Sequence, residues 1–217
     1  MTDFYTAFHE RTNQIIQETR KQLEDYQVEV KHRDGVYRHV YCCKPGQGKI
    51  CDFHVVTWPN HATITGDWCK SYILGWEYDM FSSFLSTKEP CVRYWAEKLR
   101  NPVRLKTTEF EFVKLYLFDW LDYWADEDMD AETLDRCKYA LEQWIDIDDP
   151  LLIDHLSNWC FSYQDKNSGR IFKPEPFYNF TYEDADWDVW TEDWIRVCEL
   201  LRWTACKVTE MEATHGC

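Results

Sequence analysis

The chain has 217 residues and carries 39 acidic against 24 basic side chains, a formal net charge of −15; 45% of it is apolar and 17% aromatic. That aromatic content excludes a disordered acidic tail, which lacks the apolar surface needed to offset chain entropy, and the length suits one domain or two small ones. There is no run of 18 apolar residues to span a bilayer, and Met1-Thr2-Asp3-Phe4-Tyr5 lacks the basic-then-apolar order of a signal peptide, so a soluble, cytosolic protein is expected.

Taken in chain order, Phe4, Phe8, Ile15, Ile16 and Leu23 recur at helical spacing, with Thr2 or Asp3 available as N-cap. The period then changes. Residues 26–30 alternate, Asp34-Gly35 is a strong hairpin signal, and Val36–Cys43 is β-branched and aromatic. A turn at 45–48 leads to further strands at Ile50–Trp58, Ala62–Thr65 and Ser71–Trp76, which together read as an antiparallel meander. After Asp79 helices are expected over Asp79–Leu85, Glu89–Arg100, Thr108–Ala125, Ala131–Asp146, Pro150–Tyr163 and Glu183–Ala205, with an irregular stretch at 164–180. The fold class is therefore α+β, a single domain with two sub-regions: helix plus sheet over 1–88, and an acidic helical region over 89–217.

The charge is lopsided. Residues 1–116 hold 16 basic and 15 acidic side chains, whereas 117–217 hold 8 and 24. On a helix from Glu183, Trp187, Trp190, Trp194, Val197 and Leu201 fall on one stripe and Asp184, Asp188 and Glu192 on another. Asp119, Asp122 and Asp126 likewise lie opposite Leu117, Trp120, Leu121 and Trp124. A field of one sign repels nucleic acid and membranes and attracts basic proteins. Core packing is the expectation for Trp120, Trp124, Trp144, Trp190 and Trp194, and surface contact for Trp187 and Trp203.

Ten cysteines without a CxxC pair or repeated spacing read as reduced, small apolar groups, with Cys42 and Cys43 on opposite faces of a strand and Cys217 exposed at the terminus. Pro45-Gly46-Gln47-Gly48-Lys49 fails as a phosphate loop, because Cys43 and Ile50 stand where Gly and Ser or Thr are required. Asp126, Asp128 and Asp130 begin like a calcium loop, but Ala131 and Cys137 occupy the positions of its Gly and Glu, so a turn capping the next helix is expected. His39, Asp52, His54, His61 and Asp67 lie on or near neighbouring strands, a set of residue types that can hold zinc or run a metal-dependent hydrolysis. Their spacing matches no HExxH pattern, and a solvated polar face is the competing reading.

The run Trp58-Pro59-Asn60-His61-Ala62-Thr63-Ile64-Thr65-Gly66-Asp67, followed by Tyr72 and by Asp79-Met80-Phe81-Ser82-Ser83-Phe84, resembles a group of small uncharacterised proteins encoded by tailed phages and prophages. The likeness covers about residues 36–85, with His54 in place of an Asp and Trp68 in place of a Met. It implies a phage accessory protein acting in the bacterial host cytosol and brings no reaction with it. Joined to the charge, it leads to the expectation of a non-enzymatic inhibitor that binds a host defence or nucleic-acid-handling protein through an acidic, DNA-mimicking surface formed by Asp119, Asp122, Asp126, Asp184, Asp188 and Glu192. Neither cofactor, membrane nor direct nucleic-acid binding is called for. The alternatives are the hydrolase centred on the His/Asp set and a phage structural or interaction protein.

Overall fold

A computed structural model of the chain describes residues 3–46, 51–125, 129–164, 171–172, 176–178, 180–181 and 185–215. The described residues form an N-terminal helix, a five-stranded antiparallel sheet and then helices, an α+β fold. They divide into two compact units, one of residues 1–10 with 106–189, the other of 11–105 with 190–217. This differs from the 1–88/89–217 division, because the last helix carries the core of the sheet unit.

Helix α1, Phe4–Leu23, starts as the sequence implies: the Asp3 carboxylate accepts the Thr6 N–H at 2.9 Å and the Thr6 hydroxyl at 2.8 Å. Strands β1 (Gln27–Asp34), β2 (Tyr37–Cys43), β3 (Phe53–Trp58), β4 (His61–Gly66) and β5 (Cys69–Gly75) pair in sequence order as a meander. The first hairpin turns at Gly35, whose φ of 58° suits glycine. At Gly66 a Cβ would lie 2.4 Å from the Asp52 carbonyl oxygen, so the backbones approach closely only because no side chain intervenes.

Alternation sends Val40, Cys42, Phe53, Val55, Ala62, Ile64, Tyr72 and Leu74 to one face, where all are buried. Helix α6, Glu192–His215, packs on that face. Its Trp194, Ile195, Val197, Cys198, Leu200, Leu201 and Ala205 are fully buried, as is Glu199. Burial almost all round marks a core helix rather than a surface one. The buried Glu199 carboxylate is held by the Arg20 Nε at 3.0 Å and the Arg202 Nε at 2.8 Å, and Arg20 also reaches Glu89. On the same side Arg38, 7% exposed, forms a two-pronged pair with Asp79 at 2.9 and 3.0 Å. Asp79 in turn accepts the Phe81 N–H, opening a π-helical turn at Phe81–Leu85.

Several expected helices are shorter or displaced. Helix α2 covers only Val92–Ala96, since Lys98–Arg100 continues as an extended cover for β5: the Gly75 N–H donates to the Lys98 carbonyl and the Arg100 N–H to that of Ile73. The helix expected from Glu183 starts at Glu192 instead. Thr191 caps it through the Trp194 and Ile195 N–H groups, with Glu192 and Asp193 in the first turn, and Val189–Trp190 is a short strand paired with Lys106–Thr107.

In the other unit, helices α3 (Phe110–Trp124), α4 (Ala131–Trp144) and α5 (Leu152–Leu156) gather Phe112, Val113, Leu117, Leu121, Cys137, Leu141 and Leu156 around Phe4, Phe177 and Trp187. Asp130 caps α4 through the Thr133 N–H at 2.9 Å, as expected of the acidic turn. Helix α5 stops early because the Ser157 hydroxyl and the Asn158 amide both bind the Asp154 carbonyl, giving the backbone a local alternative to helix. Tyr163–Gln164, where the expected helix gives way to the irregular stretch, pairs with Ile171–Phe172. Trp187 is buried rather than a surface contact, Trp194 is buried as expected, and Trp144 is 37% exposed.

Candidate functional site

The sheet's outer face is built by the complementary half of the alternation. Tyr37, His39, Tyr41, His54, Val56, Trp58, His61 and Thr63 are all half-buried or exposed. His39 Nε2 and His54 Nδ1 lie 2.9 Å apart, one donating and the other accepting, so the pair shares a proton. Burial, with His54 beside it, pushes the His39 pKa below its ordinary value, which keeps that imidazole neutral near pH 7. Tyr41 stacks on His54 with centroids 4.8 Å apart and donates its hydroxyl to the Asp52 carboxylate at 3.0 Å; that bond pushes the phenol up to about 12.

His61 is elsewhere, its ring parallel to that of Trp58 at 5.1 Å and its Nδ1 on the Pro59 carbonyl. Asp67 is exposed in the β4–β5 turn, and its backbone N–H meets the Asp52 carbonyl. The five residues of the hydrolase set are thus divided between a His39–His54–Tyr41–Asp52 network, a Trp58–His61 stack and a turn. Among the described residues no group of three or more His, Cys, Asp or Glu is placed to hold a metal ion. The network can pass a proton between two imidazoles, and its phenol stays protonated near neutral pH. Tyr41, which ties Asp52 to His54, was legible in the sequence: positions 37, 39 and 41 share a strand face.

Burial raises the thiol pKa values, to about 12 for Cys42 and Cys69, to about 11 for Cys137 and well above the ordinary value for Cys198. These thiols stay protonated, poor nucleophiles and poor metal ligands. Cys42 is buried and Cys43 faces the other way; Cys217 and the turn residues 47–50 lie outside the described residues.

The acids singled out in the sequence have partners within the fold wherever they are described. The Asp119 carboxylate accepts the Phe4 N–H at 2.7 Å and so caps the start of α1. Asp122 binds Lys138, the Asp188 carboxylate accepts the Thr108 hydroxyl at 2.6 Å, and Glu192 pairs with Arg196. Asp126 and Asp184 lie outside the described residues, and Asp188 and Glu192 share no helical stripe, since the helix begins after the first of them. All four described acids are thus engaged within the fold.

The charge nonetheless segregates by compact unit. Residues 1–10 with 106–189 contain 7 basic and 23 acidic side chains; residues 11–105 with 190–217 contain 17 and 16. The three described lysines of the acidic unit are each paired: Lys106 with Asp186, Lys114 with Glu111 and Glu142, and Lys138 with Asp122. The hydrogen bond to Glu111, helped by Glu142, raises the Lys114 pKa. The outward stripe of α4 bears Glu132, Asp135, Arg136 and Tyr139, which with Ala140 and Phe161 line a cleft of about 640 Å³. Tyr139 is 66% exposed and Tyr123 is 91% exposed. Comparison with protein families, with curated proteins and with solved structures gives no match.

Proposed function

We propose that the chain is a phage-type accessory protein that inhibits a host nucleic-acid-binding protein by seating its acidic unit on that protein's basic surface. The observation that carries this reading is the segregation of charge: 7 bases against 23 acids in one unit, with its described lysines already bound to carboxylates. Such a unit projects a field of one sign, which steers association with a basic partner and repels nucleic acid itself. The outward acids of α4 extend the surface that the sequence assigns to Asp119, Asp122, Asp126, Asp184, Asp188 and Glu192. Glu132, Asp135 and Tyr139 on α4, with Asp146 and Asp148 just beyond it, are solvent-facing, and the exposed tyrosines supply the aromatic anchors that interfaces favour.

The test is capture from bacterial lysate on immobilised protein, with double-stranded DNA as competitor and salt as variable. Nucleic-acid-binding proteins should be captured, released by DNA and by raised salt, and lost when Glu132→Gln, Asp135→Asn and Tyr139→Ala are combined. Capture indifferent to both DNA and salt, or no capture, overturns the reading.

A further inference from the structure

The hairpin end of the sheet's outer face, in the other unit, carries a cleft. It measures about 440 Å³ and is lined by His32, Asp34, Tyr37, His39, Val56 and Trp58, together with Arg38 and Thr57. Its volume lies in the range of small-ligand sites. His39 pairs across the strands with His32, and Asp34 with Tyr37, so an imidazole pair and a carboxylate–phenol pair sit side by side. The side chains of His32, Asp34 and Tyr37 have no hydrogen-bond, ion-pair or ring partner among the described residues, although this part of the fold is otherwise densely bonded. Tyr37 is 51% exposed, and Trp58 is stacked on His61.

The chemistry of the lining selects the ligand. Two ring systems, Tyr37 and Trp58, line one cleft without stacking on each other and offer π-faces to a planar ring. Asp34 offers an acceptor for an amino group. His39, held neutral and already bonded to His54 through Nε2, has Nδ1 left to exchange a hydrogen bond with a ring nitrogen or carbonyl. Arg38, the nearby guanidinium, is taken by Asp79 and Glu212, so the cleft lacks the free fixed cation that a phosphate would want.

We propose that this cleft binds an amino-bearing nucleobase, stacked against Tyr37 and Trp58 with its exocyclic amine on Asp34. The base can come from a free nucleoside or from an unpaired strand. The chain's charge of −15 disfavours the strand.

The experiment is amide and indole NMR titration of the intact chain with cytidine, adenosine, uridine and inosine at millimolar concentration, and in a separate arm with a short single-stranded oligonucleotide. Cytidine and adenosine should shift the signals of Tyr37, His39 and Trp58, and should bind about tenfold more tightly than uridine and inosine, which lack the amine. Tyr37→Ala, at an exposed and unpartnered position, should weaken binding about tenfold with the fold intact. Asp34→Ala, at an exposed position, removes the acceptor and should erase the preference for amino-bearing bases. Tighter binding of the oligonucleotide supports the site with a strand as the source of the base, and weaker binding supports it with the free nucleoside. No shift with any nucleoside, or binding unchanged by both Tyr37→Ala and Asp34→Ala, overturns the proposal.

Discussion

In the sheet unit 17 bases stand against 16 acids, and its one fully buried carboxylate, Glu199, is matched by the guanidiniums of Arg20 and Arg202. In the acidic unit 7 bases stand against 23 acids, and the core is apolar and aromatic, with its ion pairs mostly at the surface. The first unit uses charge to fix the packing of a core helix, and it leaves a sheet face with aromatic and imidazole groups outward. The second leaves its charge uncompensated, at a cost in self-repulsion. The contrast teaches that net charge is informative only once it is assigned to a packing unit. Charge spread over both units would read as solubility, whereas charge confined to one gives that unit a direction of attraction.

The contrast can be broken first at Glu199. Glu199→Ala leaves two guanidiniums facing an empty buried site and should cost about 3–5 kcal/mol in urea unfolding, while the exposed Asp135→Ala should stay within about 0.5 kcal/mol. Equal costs would mean that charge is used alike in both units. Next, Leu117→Ala should cost about 2–4 kcal/mol through the cavity it leaves in the core of the acidic unit. Native-state hydrogen exchange should then quicken in α3 and α4 before β2 and β3, and uniform quickening would show one cooperative core instead of two. Removing the α4 cap with Asp130→Ala should cost about 1 kcal/mol and fray that helix alone.

Smaller, and different between the units, are the responses to salt and pH. Raising ionic strength should protect the amides of α3 and α4 by screening repulsion among the acids, with little change in the sheet. In the sheet unit, His39 has a lowered folded pKa, so the unfolded chain binds its proton first. Stability should fall as pH drops from about 6.5 through the folded value. Glu89 is lowered by its bond to Arg20. Burial pushes Asp79 up but Arg38 outweighs it, leaving Asp79 lowered as well. Both contribute stability that is complete above about pH 4.5 and is lost below it as they protonate. In the acidic unit Asp3 and Asp149 are lowered too, chiefly by the Thr6 and Leu151 N–H groups. Relief of repulsion among its many acids opposes that loss, so the acidic unit's loss over the same range should be the smaller. Exchange followed from pH 7 to pH 4 measures both trends; equal loss in the two units would remove the distinction.

Much of the fold was legible because it rests on local rules. The Asp34-Gly35 turn, the period-2 runs of β2 to β4 and the Asp130 cap each act over a few residues, and each lies where those rules put it. The boundary at 183–192 was misread because Trp187, Trp190 and Trp194 recur at helical spacing by coincidence. The stronger signal was Thr191 followed by Glu192 and Asp193, a cap with acids in the first turn. The candidate sites were legible in residue type and poorly in position. His39, Asp52 and His54 do meet through Tyr41, but His61 goes to Trp58 and Asp67 to a turn. Which acids of a helical face find a lysine or a backbone N–H depends on neighbours distant in sequence, as with Asp119 and Phe4.

By itself the sequence determined the α+β order, the meander and the existence of a charge excess in the second half, since composition and short-range periodicity suffice for these. The tertiary structure alone decided that α6 belongs with the sheet and that the excess of acids is confined to one unit. It also decided which partners Asp119, Asp122, Asp188 and Glu192 find within the fold. The physical reason is that burial and ion pairing are properties of contacts. A helix that buries apolar groups nearly all round must be enclosed, and only the folded chain says by what.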